Sequence, residues 1–441
     1  MRYIPHTQAD RQAMLDEIGV SSVERLFDDI PARVTDRFRP LELAPKSEME
    51  VARALEGLAS LNAAPREPVS FLGGGIYDHY VPSVVAHLTS RSEFYTAYTP
   101  YQPEISQGTL TAMFEFQTLV CELTGMEVAN ASLYDGATAL AEAALMAVRV
   151  VGRPRIAVAR SLFGHFRRVV DTYAWAAGIA VVEVPYTSAG RLDRSAIPEG
   201  VAGLLVQSPN AFGVIEDLGG LKEALGEGLL VVAVHPLSLG VLTPPGECGA
   251  DVVVGEGQPL GLPASFGGPL LGLFACRERY LRQMPGRIAG RTVDVDGTVG
   301  YTMAVATREQ HIRRERATSN ICTNSALCAL TATVYVATLG AEGLRELALL
   351  NLNKAHYLAE KAAALPGHSL VFDAPFFNEF ALRLPSEPRR IRSRLAEEGF
   401  LVEDPEPLAR LGLPRALRLA VTEKRTKEEL DRFVRVLGGI R

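Results

Sequence analysis

Lysine is scarce in this chain: only Lys46, Lys222, Lys354, Lys361, Lys424 and Lys427 occur among its 45 basic residues. None of them follows a run that reads as a buried strand. The chain therefore has no ε-amine placed for covalent carbonyl chemistry, which needs a desolvated lysine beside the reacting group. Cysteine is also sparse. The five thiols, at 121, 248, 276, 322 and 328, form no C-x-x-C pair and cannot all be paired, which suits a reduced, cytoplasmic protein. The histidines show no H-x-x-x-H or H-x-E spacing, so no metal centre is expected. A net charge of -6, with a basic run (Arg313-Arg314-Glu315-Arg316) that an acid interrupts, argues against a nucleic-acid surface. The N-terminal "MRYIPHTQADRQAML" has no apolar core of a secretory signal. The longest weakly polar run, residues 326–341, carries threonines and Tyr335 and falls short of the ~20 residues of a spanning helix, so no membrane association is expected. Internal repeats and low-complexity segments are missing as well.

What the chain does contain is a series of strand and helix signals. The first stretch is helical, with "DRQAMLDEIGVSSVERLFDDI" and "SEMEVARALEGLASLN" punctuated by Pro31, Pro40, Pro45, Pro65 and Pro68. Ser47 followed by Glu50 fits a capping box. Residues 108–125 show apolar residues at three- and four-residue steps, and "DGATALAEAALMAVRVV" is a second helix suited to close packing on a sheet. Six short apolar runs follow, at 156–159, 179–184, 203–206, 229–234, 252–254 and 270–275, most of them apolar on both faces as parallel strands in a helix-covered sheet are. "LFGHFRRVVDTYAWAAG" supplies a crossover helix. This pattern predicts a three-layer α/β/α domain. After residue 325 come a long helix, two strands in "HSLVFDAPFFNEFALRLP", a helix, a strand in "ALRLAVT" and a terminal helix capped by Thr426 and Glu429. That order predicts an α+β domain. The expected division is a helical arm over residues 1–70, the α/β/α domain over 71–325 and the α+β domain over 326–441.

Ligands of open α/β sheets sit at the carboxyl ends of strands, so the loops there are the candidates. Asp135-Gly136-Ala137-Thr138 opens a helix and could hold an anion, although an N-cap followed by a tight turn is the favoured explanation. Gly73-Gly74-Gly75 lacks the lysine of a nucleotide P-loop and reads as a turn. "EFYTAYTPYQPEISQG" presents Tyr95, Tyr98 and Tyr101, and Pro100 and Pro103 favour a loop over a helix. An aromatic site wall and a rigid interface loop both remain open for it. The polar elbow Gln207-Ser208-Pro209-Asn210 follows a strand, and "RATSNICTNSAL" sets hydroxyls ahead of a helix. "DVVVGEGQPLGLPASFGGP", residues 251–269, ends a strand in a proline-broken loop that carries Gln258.

Four stretches taken together resemble one family: "FLGGGIYDHYVPSVV", "FYTAYTPYQPEISQGTLTAMFEFQTLVCELTGMEVANASLYDGATALAEA", "GADVVVGEGQPLG" with "SFGGP", and "RRERATSNICTNSAL". They are similar to glycine decarboxylase, the P-protein of the glycine cleavage system, and specifically to the first (alpha) subunit of its split bacterial form. The resemblance implies the type I pyridoxal-phosphate-enzyme fold. It also implies a second, lysine-bearing (beta) subunit with an Asn-x-His-Lys sequence where this chain has Gly255-Glu256-Gly257-Gln258. Gln258 then marks the vacated lysine position, and pyridoxal 5'-phosphate is expected to be held covalently by the partner and not in this chain's own pocket. Further implications are decarboxylation of glycine, transfer of the aminomethyl group to the lipoyl arm of the carrier H-protein, and an alpha2-beta2 heterotetramer. Tyr95, Tyr98, Thr318, Ser319 and Asn320 are the candidates for reaching into the partner's site, whereas replacing Gln258 in an empty pocket should alter turnover little. Two other readings stay open: a purely structural subunit, and a self-sufficient pyridoxal-phosphate lyase or transaminase, against which the absent lysine stands.

Overall fold

The computed structural model describes residues 5–62 and 68–440, in two compact units that divide between residues 65 and 66. Pro65 of the expected arm lies outside the described residues. The first unit contains two regular helices, Gln8–Ile18 and Glu48–Ala59. Both open with reciprocal capping boxes, Thr7 with Asp10 and the expected Ser47 with Glu50, which satisfy otherwise unpaired N–H groups. Only short turns lie between them, where Pro31, Pro40 and Pro45 interrupt the chain.

The second unit is built on a seven-stranded sheet. Its strands are β1 (Val128–Ala129), β2 (Arg155–Ala159), β3 (Ala180–Val184), β4 (Gly203–Ser208), β5 (Leu229–Val234), β6 (Val252–Glu256) and β7 (Gly272–Cys276), in the order β1-β7-β6-β5-β4-β2-β3. The five strands from β6 to β3 are parallel. Four helices cover the sheet: α1 (Gln107–Thr124), α2 (Gly136–Val151), α3 (Gly164–Ala176) and α4 (Ala326–Ala363). Alternation along the strands explains the layering. Leu204, Val206 and Val232 pack with Phe116 and Val120 of α1 and Ala329 and Tyr335 of α4. Leu205 and Val231 point the other way, onto Leu140 of α2 and Phe166 and Val170 of α3. Side chains buried on both faces are what the near-continuous apolar runs required.

Two features depart from the sequence pattern. The run at 270–275 forms β7, which is antiparallel to β6 and to β1. Residues 257–271 contain no crossover helix, so the chain returns beside β6 in the opposite sense. A hairpin, β8 (Ile288–Val293) with β9 (Val299–Ala304), was also unforeseen. Its signal was the Asp296-Gly297 pair between alternating segments, with Gly297 at φ +79°.

The C-terminal part carries a small antiparallel sheet, β10 (Ser369–Leu370), β11 (Glu379–Arg383) and β12 (Ala416–Ala420). Helices α5 (Pro388–Glu397) and α6 (Lys427–Gly439) pack on it, the latter with the expected Thr426–Glu429 capping box. Gly340, at φ +63°, breaks α4 into a first half on the large sheet and a second half (Ala355, Leu358, Ala362) in the small domain's core. The whole of α4 is long and apolar enough to span a membrane by length and composition, but Cys328, Ala332 and Tyr335 of its first half are buried against the sheet.

Candidate functional site

The carboxyl ends of β4, β5 and β6 meet the glycine triplet and the small domain at a cavity lined by Gly75, Tyr77, Phe163, Gln207, His235, Glu256 and Glu379. Gln258 lies beside this cavity and is not a bystander in an open space. Its side chain is fully buried (0% exposed). Its Oε1 accepts the Tyr77 N–H at 2.9 Å, and its Nε2 donates to the Tyr77 carbonyl at 3.0 Å and the Leu262 carbonyl at 2.7 Å. The amide group thus pairs both backbone groups of Tyr77, as a neighbouring strand would. The cavity is narrow, with room for a water or two and not for a pyridine ring.

The helix end that could bind an anion is occupied by the chain's own carboxylates. Asp135 accepts the Thr138 N–H and hydroxyl at 2.8 Å each, so the N-cap reading of that motif holds. Glu256 Oε2 accepts the Gly136 N–H at 2.9 Å, and its Oε1 accepts the N–H groups of Gln258 (2.9 Å) and Leu271 (3.0 Å). Burial pushes the Glu256 carboxyl up to about 7 despite these three amides. A carboxyl whose pKa rises on folding contributes stability that is full below its ordinary value of 4.5 and is lost as the pH rises through about 7. The melting temperature of the wild type is therefore expected to fall relative to that of Glu256→Gln between pH 5 and pH 8, by the equivalent of about 1–3 kcal/mol. Thermal melts of both proteins across that range check it; a pH-independent difference would rule it out.

On the other side of the cavity lies a buried charge network. Arg418, from β12, donates from Nε to Glu403 at 2.7 Å and from Nη1 to the Ala211 carbonyl at 2.8 Å, and its Nη2 also bonds Glu403. Its guanidinium lies 5.0 Å from the centroid of the Phe163 ring. Glu379 stands 3.8 Å from Arg418 and accepts the Gly74 N–H at 2.6 Å and the Tyr77 hydroxyl at 3.1 Å. Burial raises the Glu379 carboxyl, with Arg418 opposing. The glycine triplet is explained by this approach: a Cβ on Gly73 would lie 1.9 Å from Glu379 Oε1, and Gly74, at φ +75°, would meet Arg418 at 2.5 Å. It is a close backbone contact, not a flexible turn.

The elbow Gln207–Asn210 is likewise turned inward. Gln207 accepts the Phe163 N–H at 3.0 Å, Ser208 accepts the Glu216 N–H at 3.2 Å, and Asn210 bonds Gly190 and Glu216. None of the six lysines lines the cavity. Lys222 pairs with Asp251, Lys424 with Asp78 and Lys427 with Asp431; Lys354 bonds the Glu423 carbonyl, and Lys361 faces the Tyr357 ring. Lys46 lies exposed in the first unit. A pyridoxal-phosphate group does not fit the residues of this chain's own pocket. Incubation of the isolated chain with excess pyridoxal phosphate, followed by borohydride reduction and peptide mapping, is expected to mark no single lysine stoichiometrically.

Of the remaining candidates, Tyr95, Tyr98 and Asn320 are exposed, whereas Thr318 and Ser319 are half-buried. Tyr95 closes a four-residue helical turn and Tyr98 follows in irregular chain, as the prolines indicated; they are 67% and 77% exposed. Thr318 donates its N–H to the Arg308 carbonyl at 2.9 Å. Ser319 Oγ accepts the Ile321 N–H at 3.0 Å and also faces the buried Glu142 carboxyl, which burial raises. Asn320 is exposed. Sequence reasoning did not single out Arg287, whose buried guanidinium joins these two segments. It donates to Thr99 Oγ1 at 2.7 Å, Thr323 Oγ1 at 3.2 Å and the Tyr101 hydroxyl at 3.1 Å. No motif signalled it, because its partners are distant in sequence.

This parallel-rich sheet, with its helical layers and small C-terminal domain, is the type I pyridoxal-phosphate-enzyme fold. A glutamate decarboxylase of Lactobacillus brevis superposes with a TM-score of 0.67 at 14% identity, covering 92% of this chain and 95% of that one. A crystal structure of glycine decarboxylase (P-protein) of the glycine cleavage system, in inhibitor-bound form, matches far more closely, with a TM-score of 0.91, 43% identity and 99% coverage of both chains. A probable glycine dehydrogenase (decarboxylating) subunit 1 of Moorella thermoacetica is 52% identical over the full length of both proteins. Residues 1–437 match the glycine cleavage system P-protein family. The chain belongs to that family.

Proposed function

We propose that this chain is the lysine-free subunit of a two-chain decarboxylating glycine dehydrogenase, and that it completes a site whose pyridoxal phosphate is held by a lysine of the second subunit. The observation that carries this reading is Gln258: at the vacated position it is buried and fully bonded, beside a small cavity lined by Glu256 and Tyr77. A chain with such a pocket contributes to catalysis from its surface or not at all. Pyridoxal phosphate, bound to the partner, supplies a sink for the electrons released when glycine loses carbon dioxide. The aminomethyl group then passes to the lipoyl arm of the carrier H-protein.

This chain's part is to wall and polarise that site. The exposed hydroxyls of Tyr95 and Tyr98 and the segment Thr318-Ser319-Asn320 are the groups assigned to it. Exposed apolar side chains near these segments, Ile105 and Ile312 among them, support a face that a partner covers. An alpha2-beta2 heterotetramer in the cytoplasm is the assembly that this reading implies. A stable, active one-to-one dimer in light scattering on the co-purified pair contradicts that stoichiometry.

The test is glycine–bicarbonate carboxyl exchange with the reconstituted complex and carrier protein. Tyr95→Phe and Tyr98→Phe each remove one hydroxyl and keep the ring. A lost hydrogen bond to a charged reacting group is worth roughly 1.5–3 kcal/mol, so each is expected to lower turnover about ten- to a hundredfold without dissolving the complex. Ser319→Ala is expected to loosen cofactor retention. Wild-type turnover and cofactor affinity in all three favour the purely structural subunit.

A further inference from the structure

We infer that Arg287 is a positioning residue: one buried guanidinium that fixes the tyrosine loop and the Thr318–Thr323 segment in register with each other. The inference rests on the reading that those two segments face the partner's site. Arg287 lies just before β8 and is 3% exposed. Its main chain is held firmly. The Arg287 carbonyl accepts the Ala131 N–H at 2.8 Å, and two residues on, Ala289 exchanges a pair of hydrogen bonds with the buried Gln117 side chain of α1 (2.8 and 3.0 Å).

From this base the planar fork reaches both segments. Nη1 donates to Thr99 and to Thr323, and Nη2 donates to the Tyr101 hydroxyl, over whose ring the guanidinium lies at 5.5 Å. Thr99 sits next to Tyr98, and Thr323 sits three residues after Asn320. Each segment bonds the same cation, so the position of one is set relative to the other through it. All three acceptors are neutral hydroxyls. The nearest opposite charge is Glu309, at 3.9 Å from Nε, with His311 beyond it at 3.6 Å. Among the described residues, Arg287 Nε and Glu309 Oε1 have no hydrogen-bond partner. A buried cation balanced mainly by neutral hydroxyls and one carboxylate 3.9 Å away is costly to desolvate. The arrangement is accounted for by what it orders: two otherwise irregular segments that carry the exposed hydroxyls. A lysine cannot replace it, because one ammonium on a flexible stem cannot span three hydroxyls from two loops.

The experiment compares Arg287→Gln, Arg287→Lys, Thr99→Val and Thr323→Val in the complex co-expressed with the second subunit. Three readouts are taken: amide hydrogen exchange of peptides covering 95–101 and 318–325, the visible circular dichroism of the bound cofactor, and carboxyl exchange split into kcat and KM. Faster exchange is expected in both peptides of each Arg287 variant, with core peptides unchanged. The cofactor's dichroism should change although Arg287 is not proposed to touch it, and kcat should fall about tenfold or more. The threonine variants should show smaller effects of the same kind, and Thr323→Val added to Arg287→Gln should cost nothing further because the two share one interaction.

If the Arg287 variants keep wild-type peptide exchange and dichroism while Tyr98→Phe lowers turnover, the positioning role is wrong and the site-contributing reading stands. If the Arg287 variants loosen both loops but Tyr95→Phe, Tyr98→Phe and Ser319→Ala are silent, the fork orders the segments but the proposed function fails, and the catalytic part of this inference fails with it. Should Arg287→Gln not assemble, the two threonine variants decide, since each removes only an acceptor. Wild-type behaviour in both overturns the inference.

Discussion

Arg418→Leu is expected to destabilise the isolated chain by about 3–5 kcal/mol, the usual loss when one partner of a buried ion pair is removed. The size of the effect follows from what is left behind. Glu403 loses its bidentate partner, and the deeply buried Glu379 loses the nearest positive charge while still bonded to Gly74 and Tyr77. Leucine fills part of the space over Phe163 but cannot donate to the Ala211 carbonyl, so a buried acceptor is also orphaned. Arg418 belongs to the small sheet and Ala211 to the loop after β4, so the same change loosens the junction of the two sheets. Urea unfolding at pH 7 measures it. Adding Glu403→Gln to Arg418→Leu should recover part of the loss, because one of the stranded charges disappears. A loss below about 1 kcal/mol would mean that the two carboxyls take up protons or find water instead, and would refute the account of a dry network.

How much of this was legible in the sequence depends on the range of the interaction. Helix ends were legible because capping is local: Ser47–Glu50, Asp135–Thr138 and Thr426–Glu429 all act within three residues. The strands at 203–208 and 229–234 were legible because both faces are buried, which leaves no polar alternation to confuse the pattern. The direction of β7 was not, since an apolar run has the same composition whichever way it lies. For the site, the missing lysine and the glutamine in its place were plain. That the pocket would be closed was not. Gln258 bonds residue 77, Glu256 bonds residue 136, and Glu379 bonds residue 74. These are pairings of residues 120 or more positions apart, and no single-chain pattern encodes them. Arg287 is illegible for the same reason, with partners at 99, 101 and 323.

The closed pocket changes what is expected of Gln258 itself. An empty site would make its replacement harmless, but the structure assigns it a stabilising role. Gln258→Ala strands the Tyr77 N–H, the Tyr77 carbonyl and the Leu262 carbonyl in a region where the side chain is fully buried. Each buried, unpaired backbone group is unfavourable by about 1–3 kcal/mol, and a small cavity adds to that, so a total of about 3–5 kcal/mol is expected where a water cannot enter. Gln258→Lys is the sharper variant, because it puts a lysine back at the vacated position. An ammonium can donate to the two carbonyls but cannot accept the Tyr77 N–H, and Glu256 and Tyr77 still fill the space. That variant should be destabilised by about 1–3 kcal/mol and should gain no absorbance near 400–430 nm (roughly the range of lysine-bound pyridoxal phosphate) on adding the cofactor. Thermal melts and visible spectra of the isolated chain measure both quantities. In the assembled complex, either variant should lose turnover only in proportion to the protein that unfolds, because Gln258 supports the pocket's shape and touches nothing that reacts. A Gln258→Lys chain that melted like the wild type and bound the cofactor covalently would show instead that the pocket opens readily, and that the lysine was the only thing missing.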